Sequence, residues 1–392
     1  MRVLLNDGMD KEGIDLFNQA GVETDVEKKD LDRLVAEIGN YDGLLVRSAT
    51  KVTRAVIEAG MKGYLKIIGR AGVGYDNVDV VAATEKGIVV KCAPHGNTNA
   101  TAELALSLML AVSRNIPQAH YSLKSGLWKK KAFEGSELSH KVLGIIGCGR
   151  IGQRLSELVL GFGMDVIGYD LIINPESKIK YLPKDEVLSK ADYISLHAGG
   201  KQVIIGEREL SLMKPNAYLV NASRGANIDE EALYKALEAK RIAGAGLDVY
   251  SQEPKEGNPF SNKLAGLDNV VLTSHLGAST DEAQRKTSIE MASAVIDFLT
   301  KGNFSNAVNA GETVSSEQKP VYPLFIFHKD MPGVFAKVDE VLSNFNINIR
   351  ENPSRELGND GNAMTVYLLH QRASPEVIVE LRKLPAVYRV CL

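Results

Sequence analysis

Three side chains in the middle of this 392-residue chain could do proton and hydride chemistry together: Arg224, Glu253 and His275. Oxidising an alcohol by hydride transfer needs a base for the hydroxyl proton, and histidine titrates nearest physiological pH. A neighbouring carboxylate favours the imidazolium and raises the histidine pKa. An arginine stays charged, grips a carboxylate with two prongs and polarises a developing carbonyl. Upstream, Gly147-Cys148-Gly149-Arg150-Ile151-Gly152 spells G-x-G-x-x-G directly after the apolar run 142–146. Such glycines permit a tight turn and close approach of the backbone to a pyrophosphate, whose charge meets a helix N-terminus. Asp170 follows Gly152 by 18 residues, at the end of the next apolar run. A carboxylate there accepts hydrogen bonds from the adenosine ribose hydroxyls and repels a 2′-phosphate. The pattern predicts a dinucleotide site that prefers NAD to NADP.

These residues need strands to place them. Apolar, β-branched runs recur at 142–146, 166–169, 193–196, 218–220, 245–247 and 270–272, with helical patterns between. They end at Gly147, Asp170, His197, Ser223-Arg224, Asp248 and His275, in steps of 23 to 27 residues. Steps of about 25 residues suit a strand plus a crossover helix, so a doubly wound parallel sheet is expected. Ligands of such sheets bind outside the carboxyl ends of the strands, and all six ends carry a glycine, a charge or a histidine. Asp229 is placed to cap a helix over 230–240, whose Leu233, Ala236 and Leu237 share a face.

Residues 1–92 read as a second α/β unit, with strand-like runs at 3–5, 44–46 and 66–68 and helical patterns at 11–20 and 31–38. A helix over 98–114 connects the two, and another, from Asp281 to Thr300, is free to return to the first. The expected division is 1–92 plus 281–308 for a discontinuous substrate-binding domain and 93–280 for the nucleotide domain. A polar linker at 309–319 leads to a third domain at 320–392. That last stretch reads strand 324–327, helix from Pro332, strands 347–349 and 364–369, helix 375–384 and strand 387–391. The order is the ferredoxin-like β-α-β-β-α-β.

Composition excludes several classes. Hydrophobic residues make up 44% and charged residues 24%, ordinary for a globular chain. A net charge of −3 is too balanced for a nucleic-acid binder. No run approaches the roughly 18 to 20 apolar residues of a membrane span, and the first residues do not read as a signal peptide. Cys92, Cys148 and Cys391 are odd in number and lack CxxC spacing. A soluble, cytoplasmic, multidomain protein with reduced thiols and no metal site is expected.

The segments Asn221-Ala222-Ser223-Arg224-Gly225, Gly246-Leu247-Asp248-Val249-Tyr250-Ser251-Gln252-Glu253-Pro254 and Ser274-His275-Leu276-Gly277-Ala278 resemble the D-isomer-specific 2-hydroxyacid dehydrogenases. So do Leu45-Val46-Arg47-Ser48-Ala49-Thr50 and Gly69-Arg70-Ala71-Gly72-Val73-Gly74-Tyr75-Asp76-Asn77. The resemblance implies a Rossmann domain beside a flavodoxin-like substrate domain, and residue roles follow from it. Arg224 would bind the substrate carboxylate and carbonyl, with His275 as acid/base paired to Glu253. Asp248 would hold the nicotinamide carboxamide, and Arg150 and Ile151 the pyrophosphate. His197, Ala222, Ser223, Gly277 and Ala278 would complete the cofactor set. Amides of Val73 and Gly74 would receive the substrate carboxylate, while Arg47, with Ser48 and Arg70, would take a terminal phosphate. A homodimer or homotetramer is implied too, with Lys129, Lys130 and Lys131 beside Trp128 as candidates to reach a partner's phosphate site.

Two alternatives stay open: a reductase of the same family acting on unphosphorylated hydroxypyruvate or glyoxylate, and an NADH-sensing binding protein. The loop His197-Ala198-Gly199-Gly200-Lys201-Gln202-Val203 departs from many relatives, being shorter and lacking their proline, and more flexibility is expected of it. The tail, with His328-Lys329-Asp330-Met331-Pro332-Gly333 and Asn346-Ile347-Asn348-Ile349, resembles an ACT domain, an amino-acid-sensing module. That resemblance implies an L-serine effector held at a domain–domain interface by His328, Asp330 and Asn348.

Overall fold

Fully apolar strands survive only where helices cover both sheet faces, and this chain builds two such sheets. In the computed structural model, residues 1–310, 322–358 and 360–392 are described. They divide into Met1–Gly96 with Gln284–Leu392, and Asn97–Ala283. In the first unit, β1 (Arg2–Leu5), β2 (Glu23–Asp25), β3 (Gly43–Val46), β4 (Ile67–Arg70) and β5 (Val89–Cys92) lie parallel in the order β2-β1-β3-β4-β5. This is the flavodoxin-like order. The helix Asp281–Lys301 contributes Met291, Ala292, Val295, Phe298 and Leu299 to that sheet's core.

The second unit holds β6 (Val142–Ile146), β7 (Asp165–Tyr169), β8 (Lys180–Tyr181), β9 (Tyr193–Leu196), β10 (Tyr218–Asn221), β11 (Gly244–Leu247) and β12 (Val270–Leu272). Their order is β12-β11-β10-β9-β6-β7-β8, all parallel. The order reverses where β6 and β9 are neighbours, which is where doubly wound sheets bind their ligands. All six expected strands are present. The helix expected over 230–240 closes earlier, as Glu230–Glu238, because Lys240 takes φ +53° and the Arg241 amide reaches back to the Ala236 carbonyl at 2.7 Å. Asp229 caps its start, accepting from the amides of Glu231 and Ala232 at 3.1 and 3.0 Å.

The C-terminal sheet is antiparallel: β13 (Tyr322–Lys329), β14 (Ile349–Glu351), β15 (Ser354–Leu357), β16 (Asn362–Leu369) and β17 (Val387–Cys391). The path is β14-β16-β13-β17, with β15 also on β16. The second strand of the expected motif is thus longer and broken at Asn352-Pro353. Proline has no amide to give the ladder, although its carbonyl still accepts from the Val366 amide at 2.9 Å. The 309–319 linker falls mostly outside the described residues, but its first residue is not linker. Asn309 is 7% exposed and stitches β5, accepting from the Val90 amide at 2.9 Å and donating to the Ile88 carbonyl at 3.0 Å.

Alternation along β13 sends Leu324 and Ile326 into the module's own core with Val338, Leu342 and Val377. Phe325 and Phe327, with Met364, Val366 and Leu368 of β16, face the other way and join Phe298 and Phe304 of the first unit. Glycines let these surfaces meet. A Cβ on Gly87, at φ +67°, would fall 2.5 Å from the Phe327 ring, and one on Gly302, at φ +65°, 2.7 Å from Val366 Cβ. Arg389 donates to the Leu65 carbonyl at 2.6 Å. Among the described residues no helix is long and apolar enough to cross a membrane. Replacing Gly87 by alanine adds both left-handed strain and an overpacked contact, so an unfolding titration should show a loss of about 2 to 4 kcal/mol.

Candidate active site

Gly147 opens the turn after β6 with φ +94°, and a Cβ there would lie 2.6 Å from the Ala198 amide and 2.7 Å from the His197 carbonyl carbon. Only glycine lets the ends of β6 and β9 come this close. A Cβ on Gly152 would meet the Gly147 carbonyl at 2.5 Å, whereas Gly149, at the helix N-cap, faces open space where a ligand's phosphate can approach. Arg150 and Ile151 form the first turn of the helix Arg150–Leu160. Asp170 accepts from the Cys148 amide at 2.6 Å and the Ile172 amide at 3.2 Å, so its carboxylate stands beside the glycine turn. Burial pushes the Cys148 thiol up to about 12, which makes it an inert packing residue.

His197 is held neutral, its pKa pushed down to about 4 by burial. Its Nε2 pairs with the Ser195 hydroxyl at 2.8 Å, while its buried Nδ1 has no protein partner. An orphaned buried nitrogen beside a glycine cradle suits a bound dinucleotide. The following loop, expected to be flexible, is tied down: Asn227, fully buried, donates to the carbonyls of Gln202 and Gly200 at 3.0 and 3.4 Å.

The loops after β10, β11 and β12 build the chemistry. Asn221, fully buried, donates to the Arg224 carbonyl at 2.9 Å and accepts from the Ser223 amide and hydroxyl at 3.0 and 2.8 Å, shaping the Ala222–Arg224 segment. A Cβ on Gly225 would sit 1.9 Å from the Tyr250 carbonyl carbon, so glycine alone allows the Arg224 loop to press against the loop that leads to Glu253. His275 Nδ1 donates to the Glu253 carboxylate at 2.8 Å. The other Glu253 oxygen accepts from the Tyr250 amide at 3.2 Å. The Glu253 hydrogen bond raises the His275 pKa above its ordinary 6.5, against partial burial and the charge of Arg224, which lower it. Burial alone would raise the Glu253 carboxyl, but the His275 bond and charge, the Tyr250 amide and Arg224 hold it below the usual carboxylate range. The three side chains thus form one electrostatic group.

Asp248, expected at the nicotinamide carboxamide, also anchors its own loop. It is fully buried, and its carboxylate accepts from the Thr273 hydroxyl at 2.6 Å and from the amides of Leu276 and Gly277 at 2.7 and 3.0 Å. Its carbonyl takes the His275 amide at 2.9 Å, and His275 adopts φ +58°. Asp248 builds the loop that presents His275, Gly277 and Ala278. Thr101 locks the same loop by donating to the Gly277 carbonyl at 3.1 Å.

In the first unit, Arg47 and Ser48 follow β3 and are exposed, and Arg70 ends β4, whose register places it opposite Val46. Arg70 donates to the Ala71 carbonyl at 3.1 Å and lies over Gly72, where a Cβ would fall 1.6 Å from its Nη1. Val73 and Gly74 continue that turn, half-buried. Lys129, Lys130 and Lys131 are exposed in the second unit beside Trp128, itself 83% exposed.

The expected effector residues do not converge within one copy. His328, 1% exposed, bonds the Lys329 carbonyl and the Thr365 hydroxyl, both at 2.8 Å, and Asp330 stands near it, exposed, its amide on the Gly361 carbonyl. His328 pairs with Ala363, whereas the Asn348 carbonyl takes the His370 amide at the opposite end of β16, about 23 Å along the strand.

Residues 106–277 match the family described as D-isomer specific 2-hydroxyacid dehydrogenase, NAD binding domain. A hydroxypyruvate reductase of Thermotoga maritima is 45% identical over 304 residues, which cover 76% of this chain and 98% of that protein. This chain belongs to the D-isomer-specific 2-hydroxyacid dehydrogenase family. The second unit is the NAD-binding domain of that family. A D-3-phosphoglycerate dehydrogenase of Methanocaldococcus jannaschii is 45% identical over 349 residues, 86% of this chain, which spans only 65% of that longer protein. Among solved structures, an acyclic imino acid reductase in complex with NADPH and D-Arg matches with a TM-score of 0.71 at 32% identity, over 79% of this chain and 100% of that one.

The sign of the His275 shift gives a direct test. Because the Glu253 carboxylate stabilises the imidazolium, an NMR titration should place His275 above 6.5. Glu253→Gln should move that midpoint to lower pH, and a pH–rate profile should show the rise in alcohol oxidation moving the same way.

Proposed function

We propose that this dehydrogenase oxidises 3-phosphoglycerate to 3-phosphohydroxypyruvate with NAD, the activity of a D-3-phosphoglycerate dehydrogenase and the opening step of L-serine biosynthesis. The observation that carries the reading is the pair of arginines at the carboxyl ends of adjacent strands, Arg47 after β3 and Arg70 on β4, beside the Gly72 turn. Two fixed cations on one strand edge suit a dianionic phosphate, and the amides of Val73 and Gly74 suit a carboxylate. The M. jannaschii relative supports the same substrate.

NAD would be held by the Gly147–Gly152 turn with Arg150 and Ile151, by Asp170 at the ribose, by Asp248 at the nicotinamide carboxamide, and by His197, Ala222, Ser223, Gly277 and Ala278, and it would supply the hydride acceptor. With its Nδ1 proton on Glu253, His275 keeps its lone pair on Nε2 and takes the proton of the C2 hydroxyl. Glu253 stabilises the imidazolium that results. Arg224 binds the substrate carboxylate and draws charge toward the new carbonyl. In the reverse direction, His275 returns the proton.

A second reading, reduction of unphosphorylated hydroxypyruvate, is favoured by the T. maritima relative, of which this chain spans 98%. Following NADH absorbance with 3-phosphohydroxypyruvate, hydroxypyruvate and glyoxylate decides between them. A clear preference for the phosphorylated acid is expected, and a better rate with hydroxypyruvate would replace the substrate. An NADH sensor would turn over none of them. Arg47→Ala should raise KM for the phosphorylated acid by about tenfold or more and leave the unphosphorylated acids nearly unaffected. Asp170→Ala should shift the preference from NAD toward NADP, and an unchanged preference would remove Asp170 from the ribose site.

The same proposal includes a homodimer or homotetramer, supported by Ile116, Tyr121, Leu123, Leu127 and Trp128, which expose a run of large apolar side chains on and after the helix Ile116–Lys124. An L-serine effector at the ACT-like module would draw Asn348 from a second copy. A cytoplasmic location is supported by Cys92, Cys148 and Cys391, all free thiols.

A further inference from the structure

The loop that carries Arg47 is held by two side chains with no role in the preceding scheme. Asp7 lies just beyond β1, and its side chain is 4% exposed. Its carboxylate accepts from the Arg47 amide at 2.7 Å, the Thr50 amide at 3.1 Å and the Thr50 hydroxyl at 2.6 Å, and it pairs with the Lys28 ammonium. Asn77, in the segment after β4, donates its Nδ2 to the carbonyls of Arg47 and Thr50, both at 2.7 Å. The first and last residues of a four-residue loop therefore have their amides on Asp7 and their carbonyls on Asn77. Asn6, 1% exposed, adds a bond to the Thr50 hydroxyl at 2.9 Å.

A loop that only closed the chain between a strand and a helix could lie in water, its exposed backbone satisfied by solvent. Here Arg47, Ser48 and Ala49 are exposed, yet the backbone on either side is fastened by a buried carboxylate and a carboxamide. We propose that Asp7 and Asn77 are positioning residues that fix the Arg47–Thr50 loop so that the Arg47 guanidinium meets an anionic group of the substrate. The proposal rests on the reading of Arg47 as the phosphate-binding residue. A guanidinium placed in advance loses less conformational freedom on binding, and displacement by an ångström costs affinity steeply.

The test uses the full chain, with Asp7→Asn, which keeps the shape and removes the charge, and Asn77→Ser, which leaves one short hydroxyl in place of the two amide donors. Each should raise KM for 3-phosphohydroxypyruvate about tenfold, with kcat/KM for hydroxypyruvate kept within about twofold. In an Arg47→Ala background the same substitutions should change KM no further, because the group they position is gone. An undiminished effect in that background overturns the proposal and leaves a structural clamp. So does an equal loss with both acids when Arg47→Ala itself distinguishes them. If Arg47→Ala affects both acids alike, the phosphate reading fails, while disappearance of the Asp7 and Asn77 effects in that background still upholds the positioning of Arg47. Asn77→Ser carries the test alone if Asp7→Asn does not fold.

Discussion

With no solvent to neutralise it, the Asp248 carboxylate collects its hydrogen bonds from the chain around it, namely the Thr273 hydroxyl and the amides of Leu276 and Gly277. A buried charge is tolerated only when it is satisfied in this way. The loop after β12 must therefore wrap the carboxylate, and its first turn leaves His275 in the left-handed region with its amide on the Asp248 carbonyl. Everything downstream depends on that wrap: the reach of His275 to Glu253, the direction in which its pKa moves, and the nitrogen left with a lone pair.

The other half of the machinery uses the same physics with a different partition of donors and acceptors. Around Arg47, a carboxylate accepts from the backbone amides and a carboxamide donates to the backbone carbonyls, so neither sheet nor helix is needed to define the loop. Around Arg224, Asn221 performs both roles alone, accepting from Ser223 and donating to Arg224. Short polar side chains at strand ends compete with regular secondary structure for backbone groups, and that competition shapes a site from irregular chain.

Much of this was legible because strand ends announce themselves. The apolar runs 142–146 to 270–272 became β6, β7, β9, β10, β11 and β12, and their terminal residues are the proposed cofactor and catalytic groups. Strands without such a run, β2 and β8, are only three and two residues long and lie at sheet edges, where little apolar burial marks them. The site's supports were harder to read. Asp7 meets Arg47 across 40 positions, and Gly225 is needed only because Tyr250 lies against it, a fact of tertiary packing with no local signature. The expected effector residues are separated within one copy for a related reason. His328 and Asn348 are 20 residues apart in a sequence motif, but antiparallel pairing sends them to opposite ends of β16.

The C-terminal sheet is apolar on both faces, and its second face packs on Phe298 and Phe304 within the same unit, with glycine at two of the close contacts, Gly87 under Phe327 and Gly302 under Val366. Modules attached by a flexible tether can be traded between lineages as cassettes, because nothing in the recipient needs to change. Here an incoming module with bulkier residues at those two points would not seat, whatever its tether, and a recipient that lost either glycine could not accept the resident one. Gain or replacement of the module in evolution, or by gene fusion in the laboratory, therefore requires matched changes on two stretches of chain more than 200 residues apart.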